Sequence, residues 1–330
     1  MIEISKNLKL EKTNEVTAQN FWDESTEGSF FTNPNFLKIF QEKVEYWIVK
    51  KGDEKLCLWP ICKTKNQITH PPLFSYYFGP YWSNYLEKKI SNHSKFSLSI
   101  QVYELFLNKF KKKYKNIHFN FLPNNHDVRY FIWKKNFNSN NKILISPKYS
   151  AYISKLNTKS SLNIYSSFSK LRRRMISKAK KNTNIVRANY FKLSEITDLY
   201  QKTILRKNKL IDKNVLKQNL TKIKYFFSTY KKNETLVSLS GFRDKKSKEL
   251  ISLIMLGNAK NTSNLILNLS DINYQKTGVT ALALYEAIKQ SKKKKYINFD
   301  FNGSNSLIGS DDKHSYGSDY RLYFEIKSET

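Results

Sequence analysis

The segment Gln275-Lys276-Thr277-Gly278-Val279-Thr280 has the residue types of a phosphate-binding turn. It lies between a strand-like run, Ser263–Leu269, and a helical pattern that continues to about Gln290. The first amide groups of a helix are unpaired and carry the positive end of its dipole, so a pyrophosphate is their natural partner. Gly278 would allow close approach of the backbone, and Lys276 adds positive charge. A glycine before a helix is also an ordinary structural feature, so this motif alone leaves both interpretations open.

A strongly basic helix is predicted for Phe168–Lys181. Several cations on one helix can hold a diphosphate, and arginine does so in bidentate fashion. We therefore predict that Arg173 and Arg174 bind a diphosphate of the donor or of the acceptor. A solvated basic face is the alternative interpretation.

Polar residues with catalytic potential follow the strand predicted for Tyr296–Phe301. Asp300 would reach a glycine-containing loop, where we predict that it orients an attacking amine. Lys313 is predicted to stabilise the negative charge of a tetrahedral intermediate or a donor phosphate. The base is not identified, because Tyr316, Tyr323 and His314 are all candidates.

In the first half, Tyr77 and Gly79 belong to an aromatic segment, Phe74–Trp82, that is punctuated by Gly and Pro. Such a segment is typical of a pocket wall, so both residues are predicted to contact substrate. A strand end in a core is equally consistent with the pattern.

The order of predicted elements indicates a duplicated unit. Each half has helices, then antiparallel strands, then a helix and a strand, and the pattern restarts near residue 150. We predict an α/β fold with mixed sheets in two domains, 1–150 and 151–330. The last strand, about 320–327, is predicted to pack on the first domain.

Composition narrows the class of protein. The chain has 330 residues, 40% of them hydrophobic and 15% aromatic, which excludes an intrinsically disordered protein. It has no secretory signal and no apolar run long enough to span a bilayer, so a cytoplasmic location is expected. Cys57 and Cys62 lack the spacing of a zinc site, and no metal is expected.

The formal net charge is +31, from 58 Lys and Arg against 27 Asp and Glu. Such an excess attracts nucleic acid, anionic membrane surfaces or phosphate-bearing small molecules. The abundance of Lys, Asn, Ile, Phe and Tyr also indicates A/T-rich coding, which would explain part of the excess.

Five segments in order resemble the GNAT-related acyltransferases, in particular Fem-like transferases and CelD-like acetyltransferases. GNAT enzymes carry Q/R-x-x-G-x-G/A for the coenzyme A pyrophosphate, and here Gln275 and Gly278 match while Thr280 replaces the last small residue. Phe168–Lys181 is similar to the F-s-x-x-x-R-R-x-I-x-K-A-x-K helix that opens their second domain. The other segments are Phe30–Leu37, Tyr76–Pro80 and Phe299–Gly317.

This resemblance implies two tandem GNAT-like domains and transfer of an acyl group to an amine. We therefore expect an N-acyltransferase that uses acyl-CoA and an amino group on an envelope-polysaccharide or nucleotide-sugar precursor. A Fem-type transferase that uses aminoacyl-tRNA on a peptidoglycan precursor is the first alternative. A non-catalytic protein that binds RNA or a membrane surface on a GNAT scaffold is the second.

Overall fold

The structure, a computed structural model, describes residues 5, 7–38, 44–63, 69–72, 74–84, 91–114, 116–123, 127–137, 142–206 and 212–329. By their contacts these residues divide into two units. The first comprises 1–149 and 321–330, and the second comprises 150–320. Within the described ranges, no helix is both long and apolar enough to cross a bilayer.

The first unit contains an antiparallel sheet with the order β1 (Leu8–Thr13), β2 (Val44–Lys51), β3 (Glu54–Cys62) and β4 (Tyr81–Trp82). Its helices are α1 (Glu15–Glu24), α2 (Pro34–Leu37), α3 (Asn92–Lys113) and α4 (Arg129–Phe137). Strand β5 (Asn116–Asn120) pairs antiparallel with β12 (Asp319–Glu329).

Trp59 lies at the centre of the hydrophobic core of the first unit. Its strand, β3, is buried on both faces. Its ring meets Phe106 of α3 at 4.7 Å and Phe119 of β5 at 4.4 Å, both edge-on. Aromatic pairs of this geometry are worth about 1 kcal/mol each beyond the area that they bury. Cys57 and Cys62 are also buried in this sheet.

Strand β6 (Lys142–Ile153) enters the second unit at Ser150. The strands of that unit follow in the order end of β6, β11 (Asn298–Asp300), β10 (Thr262–Ser270), β9 (Leu250–Ala259), β8 (Val237–Asp244) and β7 (Ile185–Arg187). Strands β10 and β11 pair in parallel. Every other pair of neighbouring strands in this order, from β6 to β7, is antiparallel.

The helices of the second unit are α5 (Ser161–Ser166), α6 (Lys170–Lys181), α7 (Leu193–Arg206), α8 (Lys213–Lys232), α9 (Val279–Lys293) and α10 (Leu307–His314). Helix α9 is the most buried of them, and its Val279, Ala283 and Ile288 are fully enclosed. It therefore forms the centre of the second core, packed against α6 and β9.

In the first unit, lysines surround the nearly buried carboxylate of Glu45, which lies in β2. It accepts hydrogen bonds from Lys63 Nζ at 2.8 Å, Lys113 Nζ at 2.8 Å and Tyr114 Oη at 2.7 Å. Burial raises the pKa of this carboxyl, but the three hydrogen bonds together outweigh burial and hold the pKa far below its ordinary value of 4.5.

Glu45→Gln is therefore expected to lower the free energy of unfolding by about 2 kcal/mol near neutral pH, because the lysines lose a shared counter-charge. A carboxyl with a lowered folded-state pKa stabilises the fold above its unfolded pKa, and this contribution is lost as the pH falls below about 4.5. Urea unfolding at pH 7 and at pH 3.5 should thus show a smaller difference between wild type and variant at the lower pH. An equal difference at both pH values would contradict the assignment.

Candidate active site

The pairing of the parallel strands β10 and β11 ends at Asn264 and Asp300. Only Thr262–Asn264 pairs with Asn298–Asp300, whereas β10 continues to Ser270. A register shift between Leu265 and Leu267 bends β10 where the pairing with β11 ends. Ligands in α/β folds bind outside the carboxyl ends of parallel strands, so the end of this pairing marks the candidate site.

The predicted phosphate-binding turn follows β10 at the same edge of the sheet. Ile272–Thr277 forms a short 3-10 helix, Gly278 is left-handed with a φ of 84°, and α9 begins at Val279. Gln275 and Lys276 are exposed. The amide of Val279 donates to Thr277 Oγ1 at 3.2 Å, within the turn itself.

The start of α9 lacks an N-cap side chain, unlike those of α6 and α8. Ser169 caps α6 and Asp212 caps α8 through side-chain oxygens, whereas Gly278 offers no oxygen to the first turn of α9. In addition, the buried hydroxyl of Thr280 has no hydrogen-bond partner among the described residues. An uncapped helix start and an unsatisfied hydroxyl both favour an external anion or acceptor at this position.

Gly278 joins the turn to the basic helix. A Cβ added at Gly278 would lie 2.2 Å from the carbonyl oxygen of Met175, in the middle of α6. The glycine is thus required by backbone contact with α6 as well as by its positive φ. This contact places the cations of α6 beside the turn.

The arginines of α6 have different surroundings. Arg172 donates to Ser315 Oγ at 2.7 Å, forms an ion pair with Asp312, and lies 5.1 Å from the Tyr316 ring centroid. Arg173 donates to the Ser166 carbonyl oxygen at 2.6 Å. Arg174 is exposed and has no ion pair among the described residues, so of the two predicted diphosphate ligands it is the better placed for an external anion.

Asp300 is completely buried and shapes the loop after β11. One of its carboxylate oxygens, Oδ1, accepts from Ser150 Oγ at 2.5 Å and from the amide of Asn302 at 2.7 Å. The side chain of Asn302, which has a φ of 56°, donates to the carbonyl oxygen of Leu265 at 2.6 Å. This bond ties the loop to β10 just beyond the last parallel pair. That Asp300 also orients the acceptor amine stays a prediction.

Lys313 lies in the last turn of α10, not in a loop. Its ammonium donates to the carbonyl oxygens of Asn302 and Gly303. The described bonds therefore make Lys313 a residue that fixes the loop after β11. Its predicted contact with a developing negative charge stays a prediction.

Tyr316 is buried between Phe168 and Phe301, with ring centroids 5.3 Å and 5.8 Å away. Burial raises the pKa of its phenol well above the usual range, and the nearby Arg172 offsets this only in part. The phenol therefore stays protonated near neutral pH, where it can donate a hydrogen bond but releases its proton less readily than an exposed tyrosine does. His314 is exposed, and its Nδ1 lies 3.0 Å from the Ser318 carbonyl oxygen.

Tyr77, Gly79 and Tyr323 belong to the first unit. The ring of Tyr77 is buried and meets that of Tyr323 at 5.1 Å. A Cβ added at Gly79 would lie 2.6 Å from the carbonyl oxygen of Asn120. These contacts explain Tyr77 and Gly79 as packing residues, and their predicted contact with substrate stays a prediction.

Comparison with known proteins identifies the fold. No protein-family profile and no curated protein sequence matches the chain. The structure is similar to that of FemX, with a TM-score of 0.67 and 11% identity over 96% of both chains. It is also similar to L-PGS from Bacillus licheniformis, with a TM-score of 0.57 and 11% identity over 96% of this chain and 92% of that one.

A tandem GNAT protein from the clavulanic acid biosynthesis pathway has a TM-score of 0.56 and 8% identity, over 97% of this chain and 98% of that one. These likenesses confirm the predicted α/β fold class with two tandem GNAT-like domains and the predicted likeness in fold to Fem-like proteins. At such low identity they establish the fold alone.

Proposed function

We propose that the protein is an N-acyltransferase that moves an acyl group from a phosphate-bearing donor to an amine. The observation that carries this proposal is the uncapped start of α9, at the edge of the sheet where the pairing of β10 with β11 ends. The amides of Thr280 and Ala281 would bind the donor phosphates there. The exposed Lys276 and Arg174 would add charge beside them.

In the proposed step the amine nitrogen bonds to the acyl carbon, and the bond from that carbon to sulfur or oxygen breaks. The proton that the amine loses ends on the departing atom, carried by solvent water, so no group of the protein is left with a changed charge. The Tyr316 phenol, which its raised pKa keeps protonated, would donate a hydrogen bond to the departing atom. The loop that Asp300 and Lys313 hold would position the acceptor, and proximity of this kind supplies much of the rate.

Acyl-CoA is our first candidate for the donor, with an amino group on an envelope-polysaccharide or nucleotide-sugar precursor as acceptor. The residues at the start of α9 fit a pyrophosphate, as the unsatisfied Thr280 hydroxyl indicates. Gln275 and Gly278 match the family motif for that group.

Aminoacyl-tRNA is the second candidate for the donor, and a specific surface favours it. Lys170, Arg174 and Lys178 recur every fourth residue on the exposed side of α6, next to the turn at Gly278. Such a row suits a phosphodiester backbone. The resemblance of the sequence motifs to Fem-like transferases is consistent with this donor.

Thermal melting of the full-length protein with acetyl-CoA, bulk tRNA and UDP-sugars tests the proposal. At a hundredfold excess over Kd, a ligand adds about 2.7 kcal/mol and raises Tm by roughly 5 °C. We expect this shift with acetyl-CoA. A shift with tRNA alone would select the aminoacyl donor. Binding of generic RNA with no effect of either donor on Tm would contradict acyl transfer.

Charge variants localise the donor. Arg174→Gln/Lys178→Gln should weaken donor binding about tenfold or more, because two cations beside the phosphates are lost. Lys245→Gln/Lys246→Gln removes the same charge from the exposed turn between β8 and β9 and serves as the matched control. Equal weakening in both pairs, measured by titration calorimetry at fixed salt, would show that the site is not at α6.

A further inference from the structure

An apolar groove with a cationic rim lies between α7 and α8, within the second unit. Its volume is 390 Å³, which is in the range of small-ligand sites, about 300–1,000 Å³. Leu193 of α7 and Leu216 and Leu220 of α8 form its apolar floor. All three are half-buried, so the groove opens to the surface. None of the residues at the proposed acyl-transfer site lines it.

Lys213, Lys217 and Lys224 form the rim. They are spaced four and seven residues apart, so they lie on one face of α8 and span about 16 Å along it. All three are exposed, and no ion pair holds them within the part of the chain that the structure describes.

The acidic groups close to this rim do not neutralise it. Asp212 is the N-cap of α8, and its carboxylate accepts from the amides of Asn214 and Val215 at 2.8 Å and 3.2 Å. No acidic side chain lines the groove among the described residues. The rim is therefore a row of cations that no ion pair neutralises in the described part of the chain.

An apolar floor below a cationic rim is complementary to an anionic amphiphile. Hydrocarbon is removed from water in the groove, and phosphate groups meet the lysines at its edge. A second copy of this chain is disfavoured as the occupant, because the two lysine rows and net charges of +31 would repel. A neutral apolar ligand is also disfavoured, because it would bring no negative charge to the three lysines.

We propose that the groove between α7 and α8 docks the protein on a membrane surface that contains anionic phospholipid. One hydrocarbon chain would enter between Leu193 and Leu220, and headgroup phosphates would bind the three lysines. The proposal does not depend on acyl transfer. It concerns where the protein works, and it holds for either donor.

Cosedimentation of the full-length protein with vesicles tests the docking. We expect binding to vesicles of phosphatidylcholine with 30% phosphatidylglycerol, weakening with salt, and little binding to pure phosphatidylcholine. Lys213→Gln/Lys217→Gln/Lys224→Gln should reduce the partition coefficient by roughly 100-fold, at about fivefold for each lysine at the surface. These exposed substitutions do not threaten the fold.

Lys245→Gln/Lys246→Gln/Lys293→Gln is the matched control, since these three exposed lysines lie outside the groove. We expect less than about a threefold effect from it. Equal losses in the two triple variants would overturn the proposal, because the attraction would then be a property of the net charge.

A label in the groove tests entry of hydrocarbon. Thr221 lines the groove and is exposed, and both native cysteines are buried, so a dye on Thr221→Cys would report this position. We expect a blue shift with the anionic vesicles and quenching by brominated lipid. Vesicle binding without these changes would overturn the proposal. So would a protein dimer that shields the label in the absence of vesicles, because a second copy would then be the occupant.

Discussion

Gly278→Ala is expected to lower the free energy of unfolding by about 3 kcal/mol. A left-handed alanine costs about 1 kcal/mol or more, and the new methyl group would meet the Met175 carbonyl oxygen at 2.2 Å and its carbon at 2.8 Å. These are backbone atoms in the middle of α6, so rotation of a side chain cannot relieve the contact. The helix must move away from the turn.

Gly52→Ala is a control that separates the cost of a left-handed alanine from the cost of the contact with α6. Gly52 also has a positive φ, 59°, but a Cβ there would meet no atom within 4 Å. It should therefore lose only about 1 kcal/mol, the cost of the conformation. Equilibrium unfolding of both variants in urea measures the difference. Equal losses would show that α6 does not press against Gly278.

Movement of α6 has a consequence for the proposed donor. Arg174 would be displaced from the start of α9, and donor binding should fall in Gly278→Ala but stay unchanged in Gly52→Ala. Titration of both variants with acetyl-CoA or tRNA, whichever raises Tm in the wild type, measures this effect. Loss of affinity in Gly278→Ala with an intact fold would support the placement of the donor beside α6.

The sequence predicted the position of the turn because its signals are local. A strand pattern, a glycine and a helical pattern follow one another from Ser263 to Gln290, and periodicity detects such an order. The fold class was predictable for the same reason, since five modest motifs occur in the order found in Fem-like proteins.

The partners of the site residues were not predictable, because they depend on contacts distant in sequence. Arg172 differs from Arg173 and Arg174 in facing Asp312 and Ser315, which are about 140 residues away. The bond from Asn302 to Leu265 joins the loop after β11 to β10 and has no signal in either segment. Helical periodicity places Arg172 and Met175 on one face of α6, which is the signal that could have distinguished the arginines.

The absence of an N-cap side chain on α9 could not be predicted from the residue types near the helix start. Thr277 and Thr280 are both residue types that can cap a helix, but they lie on either side of the N-cap position. Thr277 bonds within the turn, and the Thr280 hydroxyl has no partner in the described part of the chain. The position of a hydroxyl relative to the helix start therefore decides whether the amides stay available.

Lys313→Met is expected to reduce kcat about 100-fold and to lower Tm by roughly 5 °C. The ammonium holds the carbonyl oxygens of Asn302 and Gly303, and methionine keeps the volume of lysine without its donors. Two charge-assisted bonds are worth about 2 kcal/mol in this setting, and displacement of a substrate-positioning loop by an ångström costs about 100-fold in rate. The turnover assay uses the donor that the melting screen identifies, and KM for that donor should change less than threefold, since the donor would bind at α9.

Lys289→Met is the matched control in the same unit, because Lys289 pairs with Glu286 and lies 5.4 Å from the Tyr285 ring centroid, away from the loop after β11. It should change stability by less than about 0.5 kcal/mol and leave kcat unchanged. The combination of results in Lys313→Met then identifies the role of the lysine. Loss of both kcat and Tm indicates that it positions the loop, whereas loss of kcat alone indicates direct contact with the reacting carbonyl oxygen. If both values stay unchanged, the loop after β11 is not part of the active site, and the acceptor must be held elsewhere.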